Sequence, residues 1–234
     1  MHPTLFLIPV TLGDAAIDHV LPPYNKEVIL SLRHFIVENA RSARRFLKQT
    51  ESAIDIDALT FYTLNEHTTR EELSSFLEPL QKGESAGLLS EAGCPAIADP
   101  GSDIVAMVQQ KGIRVTPLVG PSSILLALMA SGLNGQNFAF NGYLPVDNNR
   151  RIKTLKQLEQ RIYTGRQTQL FIETPYRNQK VLQDILTTCQ ADIKLCIAID
   201  ISLPTEDIRT RRIADWRKNI PELSKRLCIF ALGI

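Results

Sequence analysis

The chain has 234 residues, 44% hydrophobic and 22% charged, with 26 Lys and Arg against 25 Asp and Glu for a net charge of +1. This composition excludes a disordered chain or a fibre, and the balanced charge excludes a uniformly basic nucleic-acid binder. The length suits two modest domains or one large one, each able to bury a core without staples. Four cysteines (Cys94, Cys189, Cys196 and Cys228) form no CxxC pair, which fits a reducing compartment.

Met1-His2-Pro3 has no basic n-region, and the apolar run Leu5 to Ile8 stops at Pro9, so it reads as a buried first strand and not a signal peptide. Short β-branched runs then alternate with helical patterns, which predicts mainly parallel sheets with crossover helices. Strands are expected at 4–8, 34–38, 60–64, 86–90, 113–117, 138–142, 168–173, 194–201 and 227–232, with another at 209–213. Helices are expected at 40–49, 69–81, 103–111, 122–130, 150–163 and 177–188; in the second, Leu73, Phe76, Leu77 and Leu80 recur at helical spacing. No charge occurs between Val115 and Val146, but Pro117, Gly120, Pro121, Gly132, Gly135 and Gly142 interrupt that stretch, so no membrane span is expected.

Nine of the twelve glycines lie between Gly83 and Gly142, marking a region of tight strand-to-helix turns. A domain boundary is placed near Val119, giving α/β domains at 1–118 and 119–234. In open parallel sheets ligands gather at the carboxyl ends of strands. Three turns there have the small residues that close backbone approach requires: Pro9 to Asp14, Ser90 to Gly101, and Pro117 to Ser123. The last runs into a helix start, where hydroxyls and free N–H groups suit polar ligand groups. Plain connection of elements explains such turns equally well, although the loop after Leu89 is long for that purpose.

There is no GxGxxG, P-loop, HExxH or GxSxG pattern, and the four histidines lack metal spacing. His67, beside Glu66, is either a site residue or an exposed loop residue. Three stretches are locally basic: Arg41, Arg44, Arg45 and Lys48; Arg150, Arg151, Lys153, Lys156, Arg161 and Arg166; and Arg209, Arg211, Arg212, Arg217 and Lys218. They are either solvated faces or the walls of a phosphate-binding cleft.

The stretch Leu89 to Gly101 resembles the Ser-Asp-Ala-Gly-Thr-Pro-Leu-Ile-Ser-Asp-Pro-Gly signature of the ribosomal RNA small-subunit methyltransferase I family. Leu7-Ile8-Pro9 with Gly13-Asp14, Glu38-Asn39-Ala40-Arg41, Pro117 to Ser123 with Ser131-Gly132-Leu133, Phe140 to Pro145, and Phe171 to Arg177 are similar to further family motifs, in order. The resemblance fades after Ile201 and marks a short, divergent member. It implies two α/β domains of the tetrapyrrole methylase type, with S-adenosylmethionine as methyl donor in the cleft between them and no metal. It also implies a homodimer in the cytoplasm, acting on ribosomal RNA or the small ribosomal subunit.

The reaction it implies is 2′-O-methylation of a cytidine ribose. Pro9, Leu12, Gly93, Cys94, Pro95, Ile97, Ser122, Ser123, Ile172 and Glu173 would then line the donor site. Glu38 is the first choice of base, with Glu66 and Asp99 behind it, while Arg41 and Arg177 would hold a phosphate or nucleotide edge. Glu38 is equally read as a favourable charge at a helix start. Departures from the family pattern include Glu91 for Asp, Cys94 for Thr, Asn39-Ala40 for Asp-Thr, and Ile199-Asp200-Ile201 near the end. Two alternatives therefore stand beside the first reading: methylation of a small tetrapyrrole-like metabolite, and a non-catalytic binding protein on the same fold.

Overall fold

A computed structural model describes residues 2–65 and 68–234, with Arg70 described by its backbone alone. The chain divides into two compact units, Met1–Ser122 and Ser123–Ile234.

The first unit runs β1 (Thr4–Ile8), α1 (Ile17–Val20), α2 (Pro23–Ser31), β2 (His34–Val37), α3 (Ala40–Thr50), β3 (Thr60–Thr63), α4 (Arg70–Phe76), α5 (Glu78–Gln81), β4 (Ala86–Leu89), α6 (Ser102–Gln110) and β5 (Arg114–Pro117). Its five strands form a wholly parallel sheet in the order β3-β2-β4-β1-β5. Alternation along β2 explains the layering. Phe35 and Val37 join the cluster that includes Val28 and Ile29 of α2 and Phe46 and Leu47 of α3. Ile36 points the other way, into the cluster with Leu73, Phe76, Leu80, Ile104 and Val108.

α1 and α2 match no expected helix. α2 starts with Pro23 in its first turn, where the missing N–H costs nothing, and buries Val28 and Ile29. The helix expected over 69–81 is split. Thr69 and Glu72 form a capping box at the start of α4, and Pro79, which has no N–H to continue the ladder, sits in the first turn of α5.

The second unit runs α7 (Ser123–Ser131), β6 (Phe138–Tyr143), α8 (Asn148–Gly165), β7 (Thr168–Glu173), α9 (Asn178–Thr188), β8 (Lys194–Ile199), β9 (Asp207–Arg212), α10 (Ile213–Trp216) and β10 (Cys228–Gly233). Here the parallel expectation is corrected. In the order β6-β7-β10-β8-β9 only β6 and β7 pair in parallel. β10 enters antiparallel between β7 and β8, and β9 is antiparallel to β8. The segment 200–206 between β8 and β9 is too short for a crossover, so the chain must double back.

Asp147 caps α8 by accepting from the Arg150 N–H at 2.9 Å, which starts the helix before the expected position. The core joins Leu155, Leu158 and Ile162 of α8 to Val181, Leu182 and Ile185 of α9 and to Phe171 and Phe230, whose rings stack at 5.5 Å. Among the described residues no helix is long and apolar enough to cross a membrane.

Arg151, only 1% exposed, ties this unit together. Its Nε donates to Asp184 at 2.7 Å, and Nη1 donates to the carbonyls of Pro145 and Val146 at 2.9 and 2.7 Å. Removing one partner of a buried pair strands the other. Arg151→Met should therefore cost about 3–5 kcal/mol, read as a lower urea midpoint in the fluorescence of Trp216, the chain's one tryptophan, which is buried in this unit. Arg151→Met combined with Asp184→Leu should recover most of the loss, because no orphaned charge remains.

Candidate functional site

β4, β1 and β5 are neighbours in the first sheet and run the same way, so the turns at their carboxyl ends meet. The Val10 N–H donates to the Gly93 carbonyl at 2.9 Å, forming a backbone bridge between the first two turns. Gly93 has φ +73°, and a Cβ there would lie 3.1 Å from Leu12 Cδ2 and 3.3 Å from the Pro121 carbonyl oxygen. Both conformation and space favour glycine.

Cys94 Sγ donates to that same Pro121 oxygen at 3.4 Å, and burial pushes its thiol pKa up. Cys94 is thus a neutral packing and donor group and not a thiolate nucleophile. Pro9 is buried against the third turn so closely that a Cβ on Gly120 would come within 2.2 Å of the Pro9 ring. Asn25 of α2, buried, holds this turn from below by donating to the Val119 carbonyl at 2.9 Å. Pro95 is buried, whereas Ile97 is 54% exposed.

A group of carboxylates lies beside these turns. Glu38 follows the last residue of β2, Ser90 and Glu91 follow β4, and Asp99 comes later in the same loop. The Ser90 hydroxyl donates to the Asp99 carboxylate. The Ser42 hydroxyl donates to Glu91 at 2.6 Å. Burial, then the negative charges of Asp99 and Glu91, push the Glu38 pKa above its ordinary value. Burial raises Asp99 as well, against the pull of the Ser90 hydrogen bond.

Asn39 performs the capping of α3, its side-chain oxygen accepting from the N–H groups of Arg41 and Ser42 at 2.8 and 3.3 Å. The replacement of the family's Asp by Asn therefore keeps a competent cap. It also means that helix capping does not require the Glu38 carboxylate. The guanidinium of Arg41 borders a recess together with Asn39, Ser42 and Arg45.

In the second unit Ser123 is the first residue of α7, and Ile172 lies near the end of β7, half-buried and in register with Tyr143 and Ile229. Glu173 ends the same strand with its side chain fully buried, 3.1 Å from Arg177 Nε. Burial pushes its pKa up while Arg177 pulls it down, with a net rise. Arg177 also donates from Nη2 to the carbonyls of Leu144 and Pro145 at 3.1 and 3.3 Å. Its guanidinium is thus a clamp on the segment after β6, and it shares the Pro145 carbonyl with Arg151. Ser122 closes the first unit. Glu66 and His67 lie outside the described residues.

The basic stretches prove heterogeneous. Arg151 is the buried clamp. Arg217 donates to the carbonyls of Leu186 and Cys189 at the end of α9. Arg211 lies over the Trp216 ring at 4.9 Å, and Arg209 and Lys218 pair with Asp207 and Asp215. The turn from Ser90 to Gly101 already held Glu91, whereas Ser42 carries no local signal, its partner lying 49 residues away in the chain. Among the described residues no group of three His, Cys, Asp or Glu side chains is placed to hold a metal ion.

No family model matches the chain. Over 216 residues it is 30% identical to the ribosomal RNA small subunit methyltransferase I of Pseudomonas aeruginosa, covering 91% of this chain and 72% of that protein. The protein of the same name from Vibrio cholerae serotype O1 is 29% identical over 213 residues, 91% of this chain and 70% of its own length. Of other relatives with that name the chain spans between 51% and 67%. Among solved structures, a cobalt precorrin-4 methyltransferase of cobalamin biosynthesis superposes with a TM-score of 0.61 at 13% identity, covering 99% of this chain and 95% of that one. That likeness shows the tetrapyrrole methylase fold.

The packing of the turns predicts a sharp contrast between two glycines. Gly120→Ala should cost about 1–3 kcal/mol by forcing Pro9 and the third turn apart. Gly135→Ala, with open space around its Cβ position, should leave the urea midpoint within about 0.5 kcal/mol of the parent value.

Proposed function

The chain belongs to the ribosomal RNA small-subunit methyltransferase I family, and on that premise we propose that it transfers methyl from S-adenosylmethionine to the 2′-hydroxyl of a cytidine ribose in small-subunit ribosomal RNA. The observation that carries the reading is the junction of three turns beside a carboxylate of raised pKa, all at the carboxyl ends of one parallel sheet.

The turns fit the donor. Gly93, itself buried, lets the three turns close on one another where a Cβ would intrude on Leu12 and Pro121. Pro9, Leu12, Cys94 and Pro95 are assigned to the apolar face that a flat heterocycle would meet, and Ile97 and Ser122 to the donor on the resemblance. Ser123, Ile172 and Glu173 of the second unit are assigned to the donor on the resemblance. When bound, S-adenosylmethionine supplies a methyl group on a positively charged sulfur.

The chain's own part is alignment and proton removal. A ribose hydroxyl is a weak nucleophile, and Glu38 accepts its proton as the oxygen–methyl bond forms. A carboxylate whose pKa is raised is a stronger base, and burial provides that rise together with Asp99 and Glu91. Asp99 is less suited to the role because the Ser90 hydroxyl already occupies its carboxylate. Arg177 acts as a positioning residue through Glu173 and the segment at Leu144 and Pro145. Arg41 holds the RNA backbone. Ribosomal RNA as acceptor puts the protein in the cytoplasm, with which four free thiols agree.

Titration calorimetry with S-adenosylmethionine, followed by transfer of labelled methyl to purified small subunits, tests the reading. Glu38→Gln should lower transfer by about 10²–10⁴-fold and keep donor affinity. The sign of the pH effect follows from the raised pKa. Glu38 works only when ionised, so the parent's rate should rise with pH on an acidic limb above the ordinary glutamate range. That limb should vanish in Glu38→Gln. Undiminished transfer by the variant would remove Glu38 from the mechanism.

A further inference from the structure

The four cations of α3 have separate fates. Arg44 lies over the Phe61 ring, its guanidinium 5.2 Å from the centroid, and Lys48 Nζ donates to the Ser52 carbonyl at 3.0 Å. Arg41 and Arg45, one helical turn apart and both exposed, have no side-chain hydrogen bond or ion pair among the described residues. Gln49 continues the same stripe one further turn along.

This stripe borders two recesses that share Ser42 and Arg45. One, of about 300 Å³, is lined by Asn39, Arg41, Ser42 and Arg45. The other, of about 490 Å³, passes Arg45 and Gln49 on one side, Thr11 and Gly13 on another, and Ser90 and Glu91 on the third. The second recess reaches the turns after β1 and β4, and the Ser42–Glu91 hydrogen bond joins its walls. Its charge is divided: Arg45 of α3 on one side, with Glu91 and Asp14 on the others. An anion is repelled from the Glu91 side and drawn to the α3 side, while Glu91 and the hydroxyls favour groups that donate hydrogen bonds.

We propose that this groove seats the RNA strand next to the acceptor ribose, with Arg41 and Arg45 each contacting a phosphodiester and Gln49 a sugar or base edge. The inference rests on the RNA methyltransferase reading and adds Arg45 and Gln49 to it. Two guanidiniums without partners, bordering recesses whose lining includes Glu91, a carboxylate close enough to act on the charge of the proposed base, are what a backbone-positioning contact requires, since phosphate contacts set register and carry little sequence information.

The test pairs two measurements on the full chain. The first is the salt dependence of binding to a labelled single-stranded RNA of small-subunit sequence, by fluorescence anisotropy. The second is methyl transfer to purified small ribosomal subunits. Arg45→Ala should reduce the slope of log affinity against log salt by about 0.7, and Arg41→Ala with Arg45→Ala by about twice that. Each single change should raise KM for the subunits roughly tenfold with kcat kept, and Arg45→Lys should restore the slope. Arg44→Ala should leave it unchanged, and S-adenosylmethionine affinity should be the same throughout. Unchanged slopes and KM in the Arg41 and Arg45 variants, with transfer intact, would overturn the groove and leave the methyltransferase reading standing. No transfer to small subunits by the parent protein would overturn that reading and the groove with it.

Discussion

The first unit depends on how near its backbone segments can come to one another at the ends of β4, β1 and β5. The hydrogen bond from Val10 to Gly93 and the seat of Pro9 against Gly120 are both short-range contacts that a methyl group would disturb. They turn three loops, each unremarkable alone, into one rigid surface. Rigidity matters here because methyl transfer is an in-line displacement whose rate is set largely by alignment. A loop free to move by about an ångström loses much of that advantage. Asn25 adds the lower support: its burial is tolerated because its amide is spent on the Val119 carbonyl.

Cations in this chain serve two different purposes. In the second unit they act mainly as architecture. Arg151 and Arg177 converge on the carbonyls of 144–146, and Arg217 satisfies the open carbonyls at the end of α9. The planar guanidinium, with several donors in a fixed fork, suits this bridging work better than an ammonium. In the first unit Arg41 and Arg45 remain available to a ligand. Net charge near zero is therefore compatible with the proposed site for an anion, because what counts is which cations have no internal partner.

The carboxylates follow a related logic. Glu38, Glu91 and Asp99 are brought together by neighbouring strand ends and a long loop, and each discourages the ionisation of Glu38 or is itself discouraged. Such crowding is unfavourable for the fold and useful for proton removal. Hydrogen bonds from Ser90 and Ser42 engage Asp99 and Glu91, which favours Glu38 as the proposed base.

Much of this protein is determined by local sequence. Strand and helix positions follow from apolar periodicity, and the three glycine- and proline-bearing turns stand out because few residues tolerate their backbone. α2 and the break at Pro79 were legible in principle from the prolines that begin them. The antiparallel entry of β10 was not, because strand partners are chosen by packing between segments far apart in the chain. The same limit applies to the site. The resemblance marked Glu38, Gly93 and Arg177, but only tertiary structure decided that Arg177 grips backbone and that Arg151 is buried. It likewise decided that Arg45 faces a recess while Arg44 covers a ring. A cation's role is set by what lies within hydrogen-bonding reach, and that neighbourhood is assembled from residues distant in sequence.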